Sequence, residues 1–196
     1  PSPEPRRPRP LAKILTFSQT PEKTMSDLRQ LLEKMRLDSP TVRDQGTAFE
    51  HLMIDYFRYE PQYRELYNRV RFYGAWVKEY GQKYGLSNRA DAGIDLVATT
   101  VDGQHHAIQC KNYDPDRQIN KEDIDSFFTA SGKTYFANRI IVSTTNHWSR
   151  HATEALRDQQ IPVSTITLET LENSALDWGR YRPGQTPTLK AGKTPL

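Results

Sequence analysis

Asp95, Gln109 and Lys111 are polar residues set inside two apolar stretches, "GIDLVATT" and "HHAIQCK", that meet at Asp102-Gly103 and read as a β-hairpin. Burying such groups without partners costs several kcal/mol each, so they need a counter-charge, water or a metal. Alternation puts Ala107, Gln109 and Lys111 on one face of the second strand and Ile108 and Cys110 on the other, while Asp95 shares a face with Val97. A two-residue Asp102-Gly103 turn would set Asp95 opposite Cys110. A three-residue loop such as Asp102 to Gln104, or a bulge, would bring it level with Lys111, and we expect this second arrangement.

A fourth residue points to the same chemistry. Glu50 falls inside the apolar arc of a helix, between Met53, Ile54 and Phe57, with Gly46 one turn earlier leaving space beside it. A core-facing carboxylate next to a sheet that carries an acid and an amine can help to hold a hard cation. Mg²⁺ takes oxygen ligands and keeps several waters. Asp95, the side-chain carbonyl of Gln109 and the backbone carbonyl of Cys110 supply oxygens, with Glu50 binding directly or through water. Such an ion polarises a phosphoryl oxygen and acidifies a bound water, and Lys111 would orient that water and offset charge growing on the phosphate.

The elements that must position these groups are legible on either side. "TMSDLRQLLEKMR" places Leu28, Leu31, Leu32 and Met35 at helical spacing behind a Thr24 to Asp27 capping box. Ser39-Pro40 offers a cap and a first-turn proline for the longer helix bearing Glu50, which reaches about Arg58. "RVRFYGAWV" reads as a first strand and "KEYGQKYG" as a turn or helical piece. After the hairpin, "NKEDIDSFFTASGKTYF" reads as helix, "RIIVSTT" as a buried strand, "WSRHATEALRDQQ" as helix and "PVSTITLETL" as a last strand, with Trp178 closing the domain. This order predicts an α/β fold, a mixed sheet with helices on both faces.

The 196 residues suit one domain with extensions. Residues 1–24 are a Pro/Arg-rich extension, 25–178 the domain, and 179–196 a second Pro- and Lys/Arg-rich flank that reads as a linker. The net charge of +3 resides in these flanks: residues 1–13 carry +3 and 179–196 carry +4, which leaves the body at -4. A case for nucleic acid must therefore come from a local site and not from bulk charge. No apolar run is long enough for a membrane helix and there is no secretory signal. The single cysteine, Cys110, excludes an internal disulfide and a multi-cysteine zinc site, and suits a reducing, cytoplasmic setting.

The joint pattern "GTAFEHLMIDYF", "GIDLVA", "AIQCKNY", "KEDIDSFF" and "IIVSTTNHWS", from about Thr41 to Trp178, resembles the Mrr-like branch of the PD-(D/E)xK nucleases. In particular it resembles the N-terminal nuclease domain of Type ISP restriction-modification enzymes. The resemblance implies a restriction-endonuclease-like fold, double-stranded DNA as substrate, Mg²⁺ as cofactor with Mn²⁺ able to substitute, and catalytic roles for Glu50, Asp95, Gln109 and Lys111. It also implies an ATP-driven translocase and methyltransferase parts beyond Leu196, with the nuclease itself choosing no sequence. Gln109 stands where the superfamily most often has an acid, and so removes one negative charge. A non-catalytic nucleic-acid-binding or docking module and a structure-specific repair nuclease are the rival readings.

Around this centre, Thr145, Asn146, Trp148 and Ser149 sit at a strand-to-helix junction suited to a phosphate, although capping the helix is an equal use for Thr145, Asn146 or Ser149. Lys121, Arg139 and Arg150 are candidate DNA-backbone contacts. His147 and His151 read as surface or helix-start residues instead of zinc ligands, Cys110 as a strand residue instead of a nucleophile, and Asp91 as a turn residue.

Overall fold

The computed structural model describes residues 24–86 and 93–192. Five strands form one sheet in the order β1 to β5: β1 (Tyr67–Phe72), β2 (Leu96–Thr100), β3 (His105–Lys111), β4 (Phe136–Ser143) and β5 (Val163–Ile166). The first three are antiparallel neighbours, and β3, β4 and β5 run parallel. Strand β3 is therefore the junction between two pairing modes, and it carries Gln109 and Lys111. The mixed sheet with helices on both faces is the α/β architecture that the element order predicted.

Side-chain alternation divides the core in two. Leu96, Ala98, Ile108, Ile140, Val142 and Ile166 pack under α1 (Asp27–Asp38), α2 (Val42–Tyr59) and α7 (Leu168–Glu172). Val97, Ala107 and Ile141 face the other way, toward α4 (Tyr73–Tyr84), α5 (Asp125–Ser131) and α6 (Arg150–Ala155). A single turn, α3 (Pro61–Arg64), joins α2 to β1.

Local chemistry moves several boundaries from their expected places. Helix α1 is capped by Ser26, whose hydroxyl accepts from Arg29 N, and not by Thr24. Thr41 caps α2 by accepting from Asp44 N, while the Ser39 hydroxyl donates back to Met35 O. The strand expected to run through "GAWV" stops at Phe72, because Trp76 and Val77 bury a helical face of α4, which Gly85 ends in a left-handed cap. The helix over "NKEDIDSFF" breaks into a 3-10 turn (Lys121–Asp123) and α5. The tail of "PVSTITLETL" is helical, with Thr167 accepting from Thr170 N as its cap. Asp91 lies outside the described residues.

Residues 179–192, expected as a linker, lie back on the domain. Tyr181 is buried and donates to Asp55, Leu189 packs against the α1/α2 core, and Asp177 N donates to Thr188 O. Trp178 anchors this return: its indole stacks on Tyr56 and its Nε1 donates to Leu171 O at 2.7 Å. Trp178→Ala removes a fully packed indole and is expected to cost about 3–5 kcal/mol. Chemical denaturation measures it, and a loss below about 1 kcal/mol would show the segment to be peripheral.

Candidate active site

The hairpin loop is odd-numbered, as expected, but it spans Val101 to Gly103 and not Asp102 to Gln104. Gly103, with φ at 88°, takes the left-handed turn position, and Thr100 N donates to Gln104 O across the closed end. The register that follows pairs Leu96 with Ile108 and Val97 with Ala107. Asp95 is consequently not level with Lys111. Its backbone N donates to Ile108 O at 3.0 Å, so Asp95 and Leu96 both oppose Ile108 in a bulge-like step. The Asp95 carboxylate bridges the remaining distance by accepting from Cys110 N at 2.6 Å.

Gln109 is buried, on the face shared with Ala107, as alternation required. Its Nε2 donates to Gly93 O at 3.2 Å, and its Oε1 is enclosed with no hydrogen-bond partner among the described residues. A buried acceptor left in this state is costly, and it marks where a donor or a cation belongs. Lys111 is half-buried one step further along this face. Burial pulls its pKa below the ordinary lysine value, against the charges of Asp95 and Asp123, which hold it up.

Glu50 approaches from the opposite layer, since α2 covers the Cys110 face of the sheet. The Glu50 carboxyl is pushed up to about 7, mainly by burial and then by the charge of Asp95. Two acids that repel each other across a half-buried gap make a natural seat for a cation. The space beside Gly46 is open, as the sequence suggested. Cys110 lies between these groups with its thiol pushed well up by burial and by the charges of Asp95 and Glu50, so it is no thiolate nucleophile. Among the described residues no group of three or more His, Cys, Asp or Glu side chains is placed to hold a metal. A cation here would depend on two carboxylates together with the Gln109 carbonyl.

The strand-to-helix junction after β4 is engaged in its own structure. Thr145 donates to Pro115 O and accepts from His147 N, Ser149 caps α6 by accepting from Ala152 N, and Asn146 Oδ1 accepts from Glu169 N. Trp148 packs against the α4/α5 core, with its Nε1 enclosed and without a hydrogen-bond partner among the described residues. Lys121 and Arg150 are exposed and paired with Asp125 and Glu154. Arg139, expected on the DNA, is instead buried. Its guanidinium donates to Gln159 Oε1 and Ile161 O and lies over the Phe128 ring.

A cluster that sequence reasoning passed over buttresses the lysine. The Tyr113 hydroxyl donates to Asp123 Oδ1 at 3.0 Å, Arg117 lies 3.7 Å from the Tyr113 ring centroid and also pairs with Asp123, and Lys111 Nζ is 5.9 Å from that centroid. Its one sequence signal was the Asn120 to Asp123 spacing, which forms a capping box here.

A family profile described as restriction endonuclease, of the Mrr catalytic type, matches residues 58–188. The chain belongs to the restriction endonuclease family. That span contains Asp95, Gln109 and Lys111, and Glu50 precedes it. Among solved structures the domain is similar to LlaBIII, an ATP-dependent Type ISP restriction-modification enzyme bound to DNA. The two are 28% identical with a TM-score of 0.66, over 85% of this chain and 10% of that one. Weaker likenesses are to the DNA modification-dependent restriction endonuclease AspBHI (15% identical, TM-score 0.49, covering 86% of this chain and 38% of that one) and to MspJI restriction endonuclease in complex with an oligonucleotide (18%, 0.33, covering 68% and 32%). No curated protein matches the chain. This restriction endonuclease domain thus spans about a tenth of the length of LlaBIII. Restriction endonuclease domains generally use divalent metals, and a buried Gln109 Oε1 with no hydrogen-bond partner among the described residues is an oxygen of the kind such an ion takes. Among the described residues no helix is long and apolar enough to cross a membrane.

Two outcomes follow for the metal-free domain. The Glu50 pKa is raised above its unfolded value of 4.5, so the stability contributed by its neutral form is complete below that value and is lost as pH rises through about 7. Solvent screening of a half-buried group cuts this to about 1–2 kcal/mol. Urea midpoints at pH 5 and pH 8 should therefore diverge more for the wild type than for Glu50→Gln, and equal divergence would place Glu50 in open water. Gly93 holds φ at 78°, and a Cβ there would meet Ser126 Oγ at 2.9 Å and Phe127 N at 3.1 Å. Gly93→Ala is expected to cost about 1–3 kcal/mol, and an unchanged denaturation midpoint would show that the backbone there absorbs a methyl group.

Proposed function

We propose that this domain hydrolyses phosphodiester bonds of double-stranded DNA, with Mg²⁺, or Mn²⁺ in its place, held by Asp95, the Gln109 carbonyl, the Cys110 backbone carbonyl and Glu50, the last directly or through water. One observation carries the reading: the Asp95 carboxylate, held by Cys110 N, acts by its charge on both Glu50 and Lys111, on the strand that also buries Gln109 Oε1 with no hydrogen-bond partner among the described residues. The cation supplies Lewis-acid polarisation of the phosphoryl oxygen and a more acidic water when bound.

The chain's own groups do the rest. Asp95 is fixed by Cys110 N, so its second carboxylate oxygen has a set direction. Glu50 exchanges a proton near neutral pH, which suits a group that is neutral without a cation and charged with one. Lys111, desolvated and facing two carboxylates, aims its ammonium at the attacking water and at the charge developing on the phosphate. Of the residues around the rim, Lys121, Arg150 and Asn146 are exposed and would reach the DNA backbone by exchanging their present partners Asp125, Glu154 and Glu169 N, whereas Thr145, Ser149 and Trp148 serve it through structure.

The likeness to LlaBIII supports a Type ISP-like setting, in which the nuclease domain is joined to an ATP-driven translocase and to methyltransferase parts that choose the site and the moment of cutting. With residues 179–192 packed on it, the domain body (residues 14–192) has a net charge of only -1 and no basic excess, and it binds DNA weakly alone, so isolated activity should be low and mainly nicking.

Supercoiled plasmid incubated with Mg²⁺ or Mn²⁺ is the test. Asp95→Asn and Lys111→Ala should each reduce nicking by about 10²-fold or more. Retained nicking in Lys111→Ala would remove that residue from the mechanism. Absence of both metal binding and cleavage under all conditions would favour a non-catalytic docking module, and a strong preference for branched over linear duplex would favour a repair nuclease.

A further inference from the structure

A cleft of about 410 Å³ opens next to this centre and is bounded by the same two elements. Helix α2 carries Glu50 toward the site and Gln45 into the cleft wall. The exit of β3 carries Lys111 into the site and Asn112 and Tyr113 into the cleft. The walls are tied together: Asn112 Nδ2 donates to Gln45 O at 3.3 Å, and Tyr113 N donates to the Thr144 hydroxyl at 2.7 Å. The opposite wall is α1, with Leu32 between Arg29 and Arg36.

The lining is poorly suited to a phosphate. Arg29 and Arg36 are balanced by Glu33 and Asp114 in the same walls, and both guanidinium groups are already engaged. Arg36 grips Glu33 with two hydrogen bonds of 2.9 and 2.6 Å, and Arg29 donates to Glu172 at 2.7 Å. What remains is an apolar floor from Met25, Leu32 and Pro115, an aromatic ring and two carboxamides, each of which already gives one N–H to the walls, Gln45 Nε2 to Arg36 O and Asn112 Nδ2 to Gln45 O, both at 3.3 Å. The ring belongs to Tyr113, held in place by its own hydrogen bond to Asp123 and by the guanidinium of Arg117. A neutral, planar molecule with a polar edge matches that set: carboxamides pair with base edges and aromatic rings take base faces. The volume lies in the range of small-molecule pockets.

Building on the reading of the domain as a DNA nuclease, we propose that this cleft receives one nucleobase turned out of the duplex beside the cut. The captured base registers the strand so that the adjoining phosphate lies at Lys111. Turning out a base is cheapest where it is unpaired.

The test is equilibrium binding, without metal, to two otherwise identical duplexes: one with a 2-aminopurine opposite an abasic site, the other abasic on both strands. The wild type should bind the first roughly tenfold more tightly and change the 2-aminopurine fluorescence. Leu32→Trp, which fills the cleft, and Asn112→Ala, which removes a carboxamide, should each erase most of that preference while binding the doubly abasic duplex as before. Equal wild-type affinity for both duplexes, or a preference that survives in folded Leu32→Trp and Asn112→Ala, would overturn the proposal. Lys111→Ala separates it from the nuclease reading, because that variant should keep the preference while losing plasmid nicking.

Discussion

The site depends on one hydrogen bond, from the Cys110 backbone N–H to the Asp95 carboxylate. At that point the antiparallel ladder between β2 and β3 stops, because Asp95 N has already taken Ile108 O. A side chain replaces the missing main-chain acceptor and satisfies a donor that would otherwise be orphaned at the strand end. The same bond fixes an acidic group within reach of Glu50 on one side and Lys111 on the other. Since β3 is also held along its length by parallel pairing to β4, from His105 opposite Phe136 to Lys111 opposite Ser143, the position of the site is set by a strand paired on both sides.

The arrangement joins two layers that share no core. Gln109 and Lys111 belong to the face under α4 and α5, and Glu50 comes from a helix on the other face. They are linked through Asp95, whose charge acts on Lys111 and, together with burial, keeps half-buried Glu50 hard to ionise.

Much of this was legible in the sequence. Period-two alternation correctly placed Gln109 and Lys111 on one face and Cys110 on the other, and the helical arc put Glu50 in the interior, because both signals are local and repeat over several residues. The loop register was not legible. "VDGQ" admits more than one odd-numbered loop, and the choice of Val101 to Gly103 rests on the Thr100 to Gln104 closure, which involves residues on both strands. Helix starts shifted by a residue or two because "TMS" and "SPT" each offer competing hydroxyl caps. Arg139 misled for a different reason. Its charge suggested a surface, and only the tertiary structure supplies the Gln159 and Ile161 oxygens that let a guanidinium sit inside. The Tyr113, Arg117 and Asp123 cluster was invisible because its members become neighbours only after the chain leaves β3 and turns back at the 3-10 helix.

Thr144 stitches the exits of the two central strands together. Its backbone N reaches Lys111 O, and its hydroxyl donates to Tyr113 O and accepts from Tyr113 N. Lys111 and Tyr113 are therefore carried on one braced edge, so that a shift of the cleft wall at Tyr113 is passed directly to the strand end that holds the lysine.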